Sequence, residues 1–117
     1  MPNTPAAIGQ GISALIGNNN TSNEDVELCE ILLKAVGDTV ILDTEAQMDA
    51  VTAVSGSGPA YVFHLIEALA AAGKAQGLSA DLAMTLAKKT VAGAGALAFQ
   101  SEESPEQLRI NVTSPGG

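Results

Sequence analysis

The chain has 117 residues, room for one domain with a single core and at most a remnant of a second. Apolar residues make up 46% but aromatics only 3%, with no Trp, so Ala and Gly must fill the interior, which suits closely packed helices better than a β-sandwich. Five basic against thirteen acidic residues give a net charge of −8, which argues against a nucleic-acid surface and against docking on an anionic membrane.

Met1-Pro2-Asn3-Thr4-Pro5 lacks the basic-then-apolar pattern of a signal peptide. The longest apolar stretch, residues 59–72, is interrupted by His64 and Glu67 and is too short to span a bilayer. With a single cysteine, Cys29, and no internal disulfide to make, a reducing cytoplasmic setting is the expectation.

Residues 1–17 hold two prolines and three glycines and read as an extended segment, a strand entered from a stiff Pro-Asn-Thr-Pro turn. Asn18 to Thr21 form a polar loop. Ser22 can cap a helix with Glu24 and Asp25 in its first turn, and Val26, Leu28, Cys29, Leu32, Leu33 and Val36 recur at helical spacing, with Gly37 as the stop. Thr39 to Leu42 make a short strand. The first 43 residues are thus one strand–helix–strand crossover, which cannot cover both of its faces alone.

From Thr44 the pattern turns helical. Thr44 with Gln47 suggests a capping box and a short helix over 45–54, broken by Ser55-Gly56-Ser57-Gly58-Pro59. Pro59 opens a longer helix ending at Gly77. Ser79 caps the next, to about Phe99, and Ser104-Pro105-Glu106-Gln107 starts a last one that ends near Val112. The 59–76 helix is apolar on nearly all sides, and Gly93, Ala94, Gly95, Ala96 and Ala98 invite close approach by another helix. Both features call for a second copy of the chain, an intertwined homodimer.

Two helix ends suit an anion: the Gly/Ser-rich start at 55–61, although such a stretch taken alone is more often a flexible helix–helix turn, and the exit Asn111-Val112-Thr113-Ser114-Pro115-Gly116-Gly117, which reads equally as a helix C-terminus and linker. His64 on an apolar helix face is expected to be a packed or partner-satisfied core residue, and Cys29 a buried small hydrophobe. No His/Cys cluster supports a metal, and Glu102, Glu103 and Glu106 look like a solvated helix start. No nucleophile–base pair is evident, so the residues alone define a helical, dimeric module without a reaction.

Three blocks, Met1 to Ala6, Asp49 to Tyr61 and Asn111 to Gly117, closely resemble pyrroline-5-carboxylate reductase in order and spacing. The resemblance implies a mostly α chain. Residues 1–43 would be the last strand–helix–strand of a Rossmann domain, and residues 44–117 a helical dimerisation domain similar to the C-terminal part of 6-phosphogluconate dehydrogenase. It implies hydride transfer from NADPH, or NADH, to the C=N carbon of 1-pyrroline-5-carboxylate, giving L-proline. Pro2 and Asn3, and with them Glu45, would lie toward the cofactor, while Asn111, Ser114, Gly116 and Gly117 would bind the substrate. The substrate-binding Thr of the family pattern would follow Gly117, and the glycine-rich turn for the cofactor pyrophosphate is not in this sequence. The chain would therefore be a C-terminal portion, inactive by itself, whose cofactor is bound mainly by an N-terminal domain. Two rivals stand beside this reading: a non-catalytic dimerisation module, and a related imine or 3-hydroxyacid reductase. Assembly beyond the dimer stays open.

Overall fold

The computed structural model describes every residue except Pro115 and Gly117. The chain divides into two compact units, Met1–Phe63 and His64–Gly117.

The first unit is built on two parallel strands, β1 (Gly11–Leu15) and β2 (Gly37–Ile41), joined by helix α1 (Asn23–Leu33). Gly11 pairs with Gly37 and Leu15 with Ile41, so the expected crossover is formed. Its entry differs from expectation. Thr4–Ile8 is a 3-10 helix and not extended chain: Pro5 presets a helical φ in its first turn, and Gly9 ends it at φ +70°. Met1 instead lies against β1, its amine donating to the Ala14 carbonyl at 2.7 Å and its carbonyl accepting from Ala14 N–H at 2.9 Å.

Two glycines let these pieces close up. A Cβ on Gly11 would sit 2.9 Å from Ala6 Cα, and one on Gly37 would run into the Gly11 backbone. Gly37 was expected as a helix stop. It is: α1 runs into a short 3-10 turn, Lys34–Val36, with Gly37 as its C-cap, and Gly37 at φ +146° also opens β2. Only glycine combines that φ with that approach.

Ser22 caps α1 with a full capping box. Its Oγ accepts from Asp25 N–H at 3.1 Å, while Asp25 Oδ2 accepts from Ser22 N–H at 3.0 Å and from the Ser22 hydroxyl at 2.7 Å. The Ser22 hydroxyl first, then its backbone N–H, hold the Asp25 carboxyl below the ordinary carboxylate range. Farther along α1, Glu30 Oε1 takes Lys34 Nζ at 2.8 Å and the Thr39 hydroxyl at 3.0 Å, tying the helix to β2. Lys34, then Thr39, lower the Glu30 pKa.

Beyond β2 the reciprocal half of the expected cap is present: Gln47 Oε1 accepts from the backbone N–H groups of Asp43 and Thr44. The Thr44 hydroxyl takes no part, and Thr44 to Ala46 fold as tight turns that lead into helix α2 (Gln47–Val51). The expected break at Ser55 is milder than a loop. Residues Thr52–Gly56 widen into a π turn, Ser57 keeps helical φ and ψ, and α3 (Gly58–Ala75) follows at once. Hydroxyls inside the turn help hold it, since Thr52 Oγ1 donates to the Met48 carbonyl and Ser55 Oγ to that of Val51.

In the second unit α3 ends as expected at Gly77, φ +94°, in a Schellman motif: Leu78 N–H to Gly73 O and Gly77 N–H to Lys74 O. Ser79 caps α4 (Ala80–Gln100), and Ser104 caps α5 (Pro105–Val112). Gly73 rests on the next helix, where an added Cβ would stand 3.1 Å from Ala83 Cβ. Among the described residues the buried apolar side chains are all alanines: Ala14 in the first unit, Ala70, Ala83 and Ala87 in the second.

Large apolar side chains are left outside. Leu28, Ile31 and Leu32 are exposed on α1, Leu65 and Leu69 on α3, and Leu86, Leu97 and Phe99 on α4. Gly93 and Gly95 have nothing within 4 Å of where a Cβ would be. Exposed apolar surface of this extent marks faces that other protein covers.

Candidate functional site

In the first unit Asn3 is half-buried and uses both ends of its carboxamide. Nδ2 donates to the Ser55 carbonyl at 3.2 Å, and Oδ1 accepts from Ile12 N–H at 3.0 Å. The Ser55 carbonyl is free for this link because the residue four along is Pro59, which has no N–H to take it. Asn3, Pro5, Val54, Ser55, Gly58, Pro59, Val62 and Phe63 then line an open, mainly apolar cleft of about 360 Å³. Two blocks far apart in sequence thus meet at one place. Pro2 is exposed beside Asn3, and Glu45 is exposed in the turn before α2. The Glu45 side chain makes no hydrogen bond among the described residues.

In the second unit Asn111 lies in the last turn of α5. Its Oδ1 accepts from Gln107 Nε2 at 2.8 Å, and its Nδ2 donates to Glu103 Oε2 at 3.0 Å. The helix then closes, with Thr113 N–H donating to Ile110 O at 3.1 Å and Thr113 Oγ1 to Arg109 O at 2.6 Å. Ser114 follows outside the helix, and Gly116 takes φ +83°. Gly117 lies outside the described residues. Sequence reasoning passed over Glu103, which it treated as solvated helix start, and Gln107 as a partner of Asn111. The i, i+4 spacing of Gln107 and Asn111 was the available signal.

Two sequence expectations are corrected here. Cys29 is exposed and not buried, because α1 packs on a two-stranded sheet too narrow to cover its width. His64 is likewise exposed, its side chain 81% accessible and its Nδ1 3.6 Å from Glu67 Oε2. On α3 the buried Ala70 and the half-buried Gly73 lie away from the side of the helix that carries His64. Among the described residues no cluster of His, Cys, Asp and Glu could hold a metal, and no helix is long and apolar enough to cross a membrane.

These features define a class: a helical dimerisation domain preceded by the closing strand–helix–strand of a Rossmann α/β domain. Comparison with known proteins narrows it. Residues 45–117 match the family described as pyrroline-5-carboxylate reductase dimerisation. The pyrroline-5-carboxylate reductase of Pseudomonas aeruginosa is 51% identical over 117 residues, covering 100% of this chain and 43% of that protein. The solved pyrroline-5-carboxylate reductase from Coxiella burnetii superposes with a TM-score of 0.90 at 41% identity, covering 100% of this chain and 43% of the other. A Plasmodium falciparum pyrroline carboxylate reductase, solved with NADP bound, gives 0.87 at 37% identity, with 100% and 48% coverage. The chain belongs to the pyrroline-5-carboxylate reductase family. It spans a little under half the length of these relatives.

Proposed function

We propose that this chain supplies the dimerisation helices and the start of the substrate loop of an NAD(P)H-dependent reductase that converts 1-pyrroline-5-carboxylate to L-proline in proline biosynthesis. The observation that carries the reading is the likeness along the whole chain to solved reductases of that name, at 41% identity and a TM-score of 0.90 in one case.

On this reading residues 1–43 close the cofactor domain and residues 44–117 form the dimerisation domain. The nicotinamide cofactor, when bound, supplies the hydride to the imine carbon. Its ring would meet Pro2, Asn3 and Glu45, and the apolar cleft beside Asn3 has walls suited to a flat ring. The sequence holds no glycine-rich turn between a strand and a helix that would cradle a pyrophosphate, so these 117 residues meet one end of the cofactor and do not suffice for turnover. Asn111, Ser114, Gly116 and Gly117 bind the substrate. Backbone N–H groups of the loop take its carboxylate, and the Asn111 carboxamide orients the ring. No protein nucleophile is required, because the protein's task is to place the imine carbon against the hydride donor.

A protein joining this segment to a dinucleotide-binding domain should oxidise NADPH or NADH with pyrroline-5-carboxylate and release L-proline. Absence of proline with an intact, cofactor-bound protein would remove the reading. The alternative is a purely oligomeric module, favoured by the exposed apolar faces of α3 and α4. A stable homodimer whose cofactor-domain fusion neither binds nor oxidises the cofactor would decide for it. The surroundings implied are a second copy of the chain and a small-molecule substrate, in the cytoplasm.

A further inference from the structure

The Asn111 carboxamide is held from two sides, and the chemistry of its partners sets its direction. An ionised Glu103 can only accept, so Asn111 must turn its NH2 toward it, at 3.0 Å. That leaves Asn111 Oδ1 facing Gln107, which must then present its own NH2, at 2.8 Å. One carboxylate thereby orders two amides.

The arrangement also departs from what local stability would select. Ser104-x-x-Gln107 is the pattern of a capping box, in which the Gln side chain returns to the cap's N–H. Ser104 Oγ does accept from Gln107 N–H at 3.2 Å. The Gln107 side chain, however, is turned forward to Asn111. Glu103 reaches Asn111 across eight residues, from before the helix to its last turn. Both partners therefore converge on the residue at which the chain leaves α5 toward Ser114 and Gly116. With one N–H and one lone pair engaged, the carboxamide keeps one of each for a ligand, already aimed.

We propose that Glu103 and Gln107 are positioning residues, which hold the Asn111 carboxamide in a single orientation so that the substrate meets a fixed donor and a fixed acceptor. The inference rests on the reading of Asn111 as substrate-binding given above.

The test is steady-state kinetics of an active reductase carrying this segment, with pyrroline-5-carboxylate varied at saturating cofactor. Glu103→Ala and Gln107→Ala should each raise KM about fivefold, the scale of one hydrogen bond, with kcat within about twofold. Glu103→Gln, which keeps an accepting oxygen, should recover most of that loss. Gln107→Glu keeps the helix but sets a carboxylate against Asn111 Oδ1, and should raise KM at least as much as Gln107→Ala. In an Asn111→Ala background neither truncation should add a further effect, whereas a merely structural role would be additive. If Asn111→Ala raises KM but the Glu103 and Gln107 variants leave it unchanged, or add to it, positioning is wrong and the site reading stands. If Asn111→Ala leaves KM and kcat unchanged, the site reading fails and the positioning role falls with it.

Discussion

Asn3 and Ser55, 52 residues apart, are joined by a hydrogen bond from Asn3 Nδ2 to the Ser55 carbonyl at 3.2 Å. The same carboxamide accepts from Ile12 on β1, so one half-buried side chain ties the N-terminal segment to both the strand and the π turn. Asn3→Ala should cost about 2 kcal/mol, because two partly buried backbone groups lose their partner. Asn3→Asp keeps the acceptor for Ile12 but turns an oxygen on the Ser55 carbonyl, and should be destabilising as well. Urea unfolding followed by circular dichroism measures both. A midpoint unchanged in Asn3→Ala would mean that the link contributes nothing.

Gly37→Ala should be among the most damaging single changes available to the first unit. The new Cβ would enter the space of the Gly11 backbone, and the residue would also be strained at φ +146°. A loss of about 3 kcal/mol or more is expected, with the β1–β2 pair as its target. Gly58→Ala is the control, since a Cβ there meets nothing within 4 Å and φ is not positive. Equal stability of the two variants would contradict the close approach.

Acid should weaken the first unit through Asp25 and Glu30. Both carboxyls are lowered in the folded chain from ordinary values of 3.8 and 4.5, chiefly by the Ser22 hydroxyl and by Lys34 respectively. The unfolded chain therefore takes up these protons first as pH falls. The contribution is complete above the ordinary values and is lost as pH drops through the lowered ones. Unfolding midpoints compared at about pH 5 and about pH 3 should fall, and fall less steeply in an Asp25→Asn, Glu30→Gln double variant. An identical slope in the double variant would assign the acid sensitivity to other groups.

Assembly should respond to charge placed on the exposed apolar faces. Phe99 is 84% exposed in the single chain, so Phe99→Asp should leave helix content unchanged. In sedimentation equilibrium at micromolar protein the parent chain should be a homodimer, and Leu86→Asp and Phe99→Asp combined should shift it toward monomer. A monomeric parent would refute the homodimer outright.

Local signals in the sequence were sufficient wherever one or two neighbouring residues decide the backbone. Ser22, Ser79 and Ser104 each cap the helix they were expected to cap, Gly77 stops α3, and the strand–helix–strand of the first 43 residues folds as a parallel crossover. Caps and stops act through hydrogen bonds three to five residues long, which pattern alone can reveal. The three blocks that carry the family resemblance were legible for a different reason, their length and order.

Only the tertiary structure decided the long-range matters. It placed Asn3 on Ser55, made Gly37 a point of strand approach as well as the expected helix stop, and turned Gln107 from its own cap toward Asn111. It also left Cys29 and His64 exposed, where apolar neighbours in sequence had suggested burial. Periodicity tells which residues share a helix face, but burial depends on what stands opposite that face. A chain whose buried apolar residues, among those described, are four alanines has too little of its own to stand there.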